Sequence, residues 1–246
     1  MSKTLILIPT RMSASRLPGK PLLKINNLPI ISHVVNKAKK TKIGKVVVCT
    51  EDLEILHEVK KNGGEAILTS KNHKTGTDRI FEAFKKLDVD DVKYILNLQG
   101  DEPGINENDI INLNNLMIKN NSDIGTLSAE IKNNSIFNNE NVVKVITEEK
   151  LSDSNFPLAL NFKRKDLSKS DKNIYHHIGI YAYKVKILEK FINLKQTKNE
   201  VKSKLEQLRA LDNNLKINVA LAKTSPIGVD TEEDYLAIKK IMEYKS

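Results

Sequence analysis

The chain has 246 residues, 39% hydrophobic and 29% charged, enough for one large globular domain, which excludes a disordered polymer. A net charge of +9 admits nucleic acid as a partner, but only five of the 40 basic residues are Arg. The rest are Lys scattered among Asn and Glu, the pattern of a solvated surface without an aromatic-rich basic face.

The first half alternates short apolar runs with helical patterns. Strands are predicted over Thr4–Pro9, Lys45–Thr50, Glu65–Leu68 and Lys93–Gln99, and helices over Pro29–Lys42, Asp52–Asn62 and Thr77–Leu87, with Gly63-Gly64 ending the second helix. Strand–helix units of this length predict an α/β fold with a parallel sheet and helices on both faces. In the second half, strands are expected over Asp123–Ile131, Val142–Thr147, Ile174–Lys184 and Leu215–Ala222, and helices over Val201–Asp212 and Thr231–Tyr244. An Asn- and Lys-rich stretch, about 155–173, separates two of these strands. No repeat or linker appears, so residues 1–246 read as one domain in which about 123–200 forms a mixed-sheet insertion suited to dimerisation.

A lone cysteine, Cys49, excludes an internal disulfide and fits a reducing compartment. The apolar run Leu5-Ile6-Leu7-Ile8 is too short for a signal peptide or a membrane span. A cytoplasmic protein without membrane insertion is expected.

The five Arg, at 11, 16, 79, 164 and 209, stand out because Lys serves wherever a generic cation will do. Arginine offers a rigid fork that matches phosphate and carboxylate. The loop after the first strand, Pro9-Thr10-Arg11-Met12-Ser13-Ala14-Ser15-Arg16-Leu17-Pro18-Gly19-Lys20-Pro21, carries three cations, hydroxyls and a glycine. At the carboxyl edge of an open α/β sheet these suit a phosphate-bearing ligand, although the pattern is not a Walker A loop; the plain alternative is a basic surface loop. A second loop, Gln99-Gly100-Asp101-Glu102-Pro103, delivers Asp101 to the same edge, where a carboxylate beside phosphates suits Mg²⁺; a simple turn is the alternative. In Gly228-Val229-Asp230-Thr231-Glu232-Glu233-Asp234, Thr231 and Asp234 form a capping box that leaves Asp230 free to bind a metal. His177, Gly179, Tyr181 and Tyr183 share one face of a strand, as a polar pocket or as a satisfied His–Tyr pair. Glu206 and Arg209 stand at helical spacing for a mutual ion pair.

Together and in this order, these segments resemble the 3-deoxy-manno-octulosonate (KDO) cytidylyltransferases, also called CMP-KDO synthetases. The matching segments are Ile8-Pro9-x-Arg11 with Ser15-Arg16-Leu17-Pro18-Gly19-Lys20-Pro21-Leu22, Gly76-Thr77-Asp78-Arg79, Asn97-x-Gln99-Gly100-Asp101-Glu102-Pro103 and Asn141-Val142-Val143-Lys144-Val145. His177-Ile178-Gly179-Ile180-Tyr181-Ala182-Tyr183, Glu206-Gln207-Leu208-Arg209 and Gly228-Val229-Asp230-Thr231 complete the set. The resemblance implies a Rossmann-like nucleotidyltransferase fold, a homodimer, and Mg²⁺-dependent transfer of CMP from CTP to the anomeric hydroxyl of KDO for lipopolysaccharide biosynthesis. It implies nucleotide contacts from Pro9, Arg11, Arg16, Lys20, Gly76, Thr77 and Arg79, and metal ligation by Asp101 and Asp230, which with Lys20 form the catalytic group. It places Gln99, His177, Tyr181, Glu206 and Gln207 at the sugar acid. The chain departs from the family's Ser-Arg-x-x-Ile-Pro segment and its following Arg: Ser152-Asp153-Ser154-Asn155-Phe156-Pro157 leads to Leu160, with Arg164 four residues beyond. A related ulosonic acid, such as an 8-amino KDO analogue, is therefore the alternative acceptor. A pyrophosphorylase using another nucleotide or a sugar phosphate is the competing enzyme class.

Overall fold

The computed structural model describes residues 3–13, 16–132, 134–168 and 171–244. Ala14 and Ser15 of the first loop lie outside the described residues. The chain divides into two compact units, residues 1–110 with 226–246, and residues 111–225.

In the first unit, β1 (Thr4–Thr10) leads through a small hairpin, β2 (Lys24–Ile25) with β3 (Leu28–Pro29), into α1 (Ile30–Lys40). Then come β4 (Gly44–Thr50), α2 (Leu53–Lys61), β5 (Ala66–Leu68), α3 (Gly76–Leu87) and β6 (Tyr94–Asn97). The strands lie in the order β6-β1-β4-β5, all parallel. β1 is buried along nearly its whole length, as befits a strand covered on both faces. From β1 the chain steps outward to β4 and β5, then reverses through α3 to β6 on the other side of β1. Right-handed crossovers therefore place α3 on the opposite face from α1 and α2. The reversal falls between β1 and β6, so the loops leaving these two strands diverge over the crevice where such sheets bind ligands.

α4 (Glu107–Asn120) carries the chain out of the first unit. The second unit contains β7 (Ile124–Ala129), α5 (Asn134–Asn138), β8 (Lys144–Thr147), β9 (Ala159–Lys163), β10 (Ile174–Lys184), α6 (Val185–Ile192), α7 (Lys198–Ser203), α8 (Gln207–Asp212) and β11 (Ile217–Leu221). Its strands run β11-β7-β10-β8-β9, with β11 parallel to β7 and the other pairs antiparallel, so the sheet is mixed through β11. The final helix, α9 (Glu232–Glu243), returns to the first unit, where Ile238 packs with Ile25, Ile30 and Val229.

Several boundaries differ from the sequence reading. The helix expected over Val201–Asp212 is two short helices, because Lys204 adopts φ 53° and Leu205 N–H returns to the Glu200 carbonyl. α4, α5 and α6 were not anticipated, and β9 emerges from the Asn- and Lys-rich stretch with only Ala159 and Phe162 buried.

Gly125 on β7 faces a filled core: a Cβ there would sit 2.5 Å from Met117 Sδ and 2.8 Å from Phe156 Cζ. Gly125→Ala is therefore expected to cost about 1–3 kcal/mol by overpacking, read as a lower urea midpoint. An unchanged midpoint would show that Met117 and Phe156 move aside freely.

Candidate functional site

At the β1–β6 switch point the first unit holds an open cavity of about 310 Å³. Pro9, Thr10, Arg11, Arg16 and Lys20 reach it from the loop after β1, and Gln99, Gly100 and Asp101 from the loop after β6. Asp230 reaches it from the turn before α9, and His73, Lys74, Thr75, Gly76 and Arg79 from the start of α3.

The first loop is fixed at its stem. Gly19, at φ +74°, donates its N–H to the Met12 carbonyl at 3.0 Å, a conformation glycine adopts without a Cβ penalty. The Met12 N–H donates to Asp52 Oδ2 at 2.8 Å. Asp52 is the N-cap residue of α2, yet its side chain caps nothing there; it is spent on the loop. The loop after β6 presses closely on β1. A Cβ on Gly100 would lie 3.0 Å from Thr10 Cβ and 3.1 Å from the Pro9 carbonyl.

Lys20 is the hub. Its Nζ donates to Asp101 Oδ2 at 2.5 Å, to the Val229 carbonyl at 2.8 Å and to Asp230 Oδ1 at 3.3 Å. Arg16 pairs with Asp230 Oδ2 at 2.9 Å, and Val229 N–H donates to the Asp101 carbonyl at 2.9 Å. Three segments far apart in sequence thus converge on two carboxylates. Arg11 has no ion-pair partner among the described residues. Glu102 is buried behind the carboxylates, and its Oε2 has no hydrogen-bond partner among the described residues. Burial pushes its carboxyl up to about 8, aided by the negative charges of Asp101 and Asp230.

On the opposite wall, α3 begins with a capping box in which Thr75 and Asp78 satisfy each other's backbone N–H groups. Gly76 lets this helix start approach Pro9, whose Cγ would lie 3.2 Å from a Cβ there. Two sequence expectations shift. Thr77 is buried inside the first turn of α3 and is not among the residues lining the cavity. Arg79 borders the cavity, but its buried guanidinium is engaged by Glu51 and by Thr69 Oγ1 at 2.6 Å, so it braces the wall. His73, Lys74 and Thr75 also line the cavity; in the sequence their one local signal is the capping pattern Thr75-x-x-Asp78.

In the second unit, β10 carries His177, Tyr181 and Tyr183. Relative to β7 it gains two residues between Ile178 and Tyr181, and an even insertion preserves the alternation of faces. The rings consequently neighbour one another along one face, His177 tilted against Tyr181 at 5.5 Å and Tyr181 stacked on Tyr183 at 5.9 Å. Thr126 Oγ1 donates to the Ile180 carbonyl at 2.7 Å, so it accepts from His177 Nε2 at 3.0 Å. Glu206 and Gln207 lie at the start of α8. Arg209 stands 3.6 Å from Glu206, but its close partner is Glu200, at 2.5 and 2.9 Å. Arg164 donates to the Asn141 carbonyl at 2.9 Å, while Leu160 is 59% exposed on β9.

Burial depresses His177 to about 3, assisted by the neighbouring His176. As pH falls below the unfolded value near 6.5, the unfolded chain takes a proton that the folded chain refuses until about pH 3. Stability should therefore drain away across that window, by up to a few kcal/mol from this residue alone. Urea midpoints between pH 7 and pH 4 should fall less steeply in His177→Gln than in the parent; equal slopes would contradict the assignment.

Residues 5–217 match the cytidylyltransferase family. The 3-deoxy-manno-octulosonate cytidylyltransferase of Afipia carboxidovorans is 43% identical over 240 residues, covering 97% of this chain and 96% of that protein. Its namesake in Thermodesulfovibrio yellowstonii is 42% identical, covering 97% and 98%. A solved structure of CMP:2-keto-3-deoxy-manno-octonic acid synthetase complexed with CTP superposes with a TM-score of 0.89 at 32% identity, covering both chains completely. With such identity along nearly its full length, the chain belongs to the 3-deoxy-manno-octulosonate cytidylyltransferase family.

Proposed function

We infer that the protein transfers CMP from CTP to the anomeric hydroxyl of KDO and releases diphosphate. The observation that carries this reading is Lys20 held between Asp101 and Asp230 at the end of a cavity flanked by Arg11 and Arg16. A triphosphate needs cations for its oxygens and carboxylates for the metal that accompanies it. Both are gathered there. Names of relatives favour KDO over the amino analogue as acceptor.

The hydroxyl oxygen of the sugar attacks the α-phosphorus in line. The new O–P bond forms as the bond to the bridging oxygen of the β-phosphate breaks; diphosphate leaves and the hydroxyl proton is released. Arg11, Arg16 and Lys20 hold phosphate oxygens and offset the growing negative charge, work that is mostly positioning and electrostatics. Pro9, Gly76 and the Arg79-braced wall shape the nucleotide end. In the second unit, His177, Tyr181, Glu206 and Gln207 are the residues that the family resemblance assigns to the sugar acid.

Asp101 and Asp230 suit Mg²⁺. The described residues contain no cluster of three or more His, Cys, Asp or Glu that could hold a metal, and Mg²⁺ commonly takes only one or two carboxylates, with water and phosphate oxygens completing its shell. When bound, the ion would neutralise phosphate charge as diphosphate departs. A homodimer completes the reading, supported by exposed Leu160 and Val201 on the edge strand β9 and on α7. Light scattering should give twice the chain mass. Among the described residues no helix is long and apolar enough to cross a membrane, and buried Cys49 suits the cytoplasm.

Diphosphate release should require CTP, KDO and Mg²⁺ together. No release with KDO would overturn the reading, and release only with its 8-amino analogue would reassign the acceptor.

A further inference from the structure

One carboxylate holds the cavity wall between Ser70 and Gly76 and plays no part in the steps above. Glu82, on the second turn of α3, accepts from the Ser70 N–H at 2.9 Å and from Lys86 Nζ at 2.6 Å, and its Oε2 also meets His73 Nε2. Burial alone would raise its pKa; hydrogen bonds from Lys86, Ser70 and His73 outweigh that and bring it to about 2. Ionised, Glu82 can only accept hydrogen bonds. A neutral imidazole facing it at Nε2 must carry its proton there, which leaves Nδ1 as an acceptor.

His73 lines the nucleotide cavity on the side where Gly76 packs against Pro9, whereas the carboxylates and Arg16 gather around Lys20. The triphosphate belongs with the second group. The base falls to the first. Cytosine and uracil differ where an exocyclic amine, a donor, is replaced by a carbonyl oxygen, an acceptor. We propose that His73, its tautomer fixed by Glu82, selects the base: Nδ1 accepts from the amine of cytosine and opposes the carbonyl of uracil. This rests on the reading of the cavity as a CTP site. Glu82 is in this scheme a positioning residue, acting through the imidazole.

Calorimetric titration of CTP and UTP into the full-length protein, without sugar acid, tests the proposal apart from the transfer reaction. His73→Ala should weaken CTP far more than UTP and lower the ratio of their affinities by about tenfold, the worth of one well-placed hydrogen bond. Glu82→Gln should shift the same ratio in the same direction and tighten UTP, because a glutamine amide can donate to Nε2 and allow the tautomer with a proton on Nδ1. Lys86→Ala, which removes a partner of Glu82 without touching His73, should leave the ratio within twofold. Thermal melts establish that each variant is folded. An unchanged ratio in both folded His73→Ala and Glu82→Gln would overturn the proposal, as would a wild type that binds UTP as tightly as CTP. Normal discrimination in binding with no diphosphate release from CTP and KDO would sink the transfer reading while leaving this one standing.

Discussion

Asp101→Asn is expected to lower kcat/KM for CMP transfer by about 10³, roughly 4 kcal/mol of transition-state stabilisation, while leaving the fold intact. The change keeps the shape of the side chain and the backbone bond from Val229 N–H to the Asp101 carbonyl, so the loop after β6 should hold its place. What it removes is the charge. Lys20 keeps the Val229 carbonyl and Asp230 as partners and can still donate to the amide oxygen, but its shortest contact is no longer an ion pair. Initial rates at saturating CTP, with circular dichroism as a control, decide the matter. Activity within a few-fold of wild type would strip Asp101 of its assigned place beside the metal.

The largest effect on stability should come from the second unit. Arg209 and Glu200 have side chains only 5% exposed, are joined at 2.5 and 2.9 Å, and the guanidinium lies 4.8 Å from the Phe191 ring centroid. Arg209→Met would leave the Glu200 carboxylate buried without its cation. Such a loss costs about 3–5 kcal/mol, or roughly 6–20 °C in Tm for a chain of this size. Replacing both members, as in Glu200→Leu with Arg209→Met, should recover much of the deficit, because a buried pair is often no better than packed apolar side chains. If the double variant melts as low as the single one, the pair does more than neutralise itself.

The strand–helix rhythm of the first unit was legible because its strands are buried on both faces and read as unbroken apolar runs. Arg11 and Arg16 were legible because arginine is scarce in a Lys-rich chain, and Lys20 because it shares their loop; the switch point between β1 and β6 brings all three to the cavity that Asp101 also lines. Elsewhere the local signal was misleading or weak. α4 hid because Asn recurs through it, although Ile110, Leu113, Leu116 and Met117 keep helical spacing on its buried side. Thr77 shares a motif with Gly76 but points the other way, since neighbouring helical residues face different directions. Asp52 looks like an ordinary cap, and only the folded chain reveals that its carboxylate serves Met12. His73 carries no motif of its own; its partner Glu82 lies nine residues away in sequence, on the second turn of α3.

The Asp52–Met12–Gly19 stem has a thermodynamic consequence. A ligand that must gather a floppy segment around itself loses affinity to the ordering it imposes, whereas one that meets an already assembled stem does not. Here the two ends of the loop are brought together when the protein folds, by hydrogen bonds of 2.8 and 3.0 Å that owe nothing to any ligand. Closure of the ring is thus charged to folding, where a large cooperative core absorbs it. Binding energy from the phosphates is left for discrimination and for the transition state.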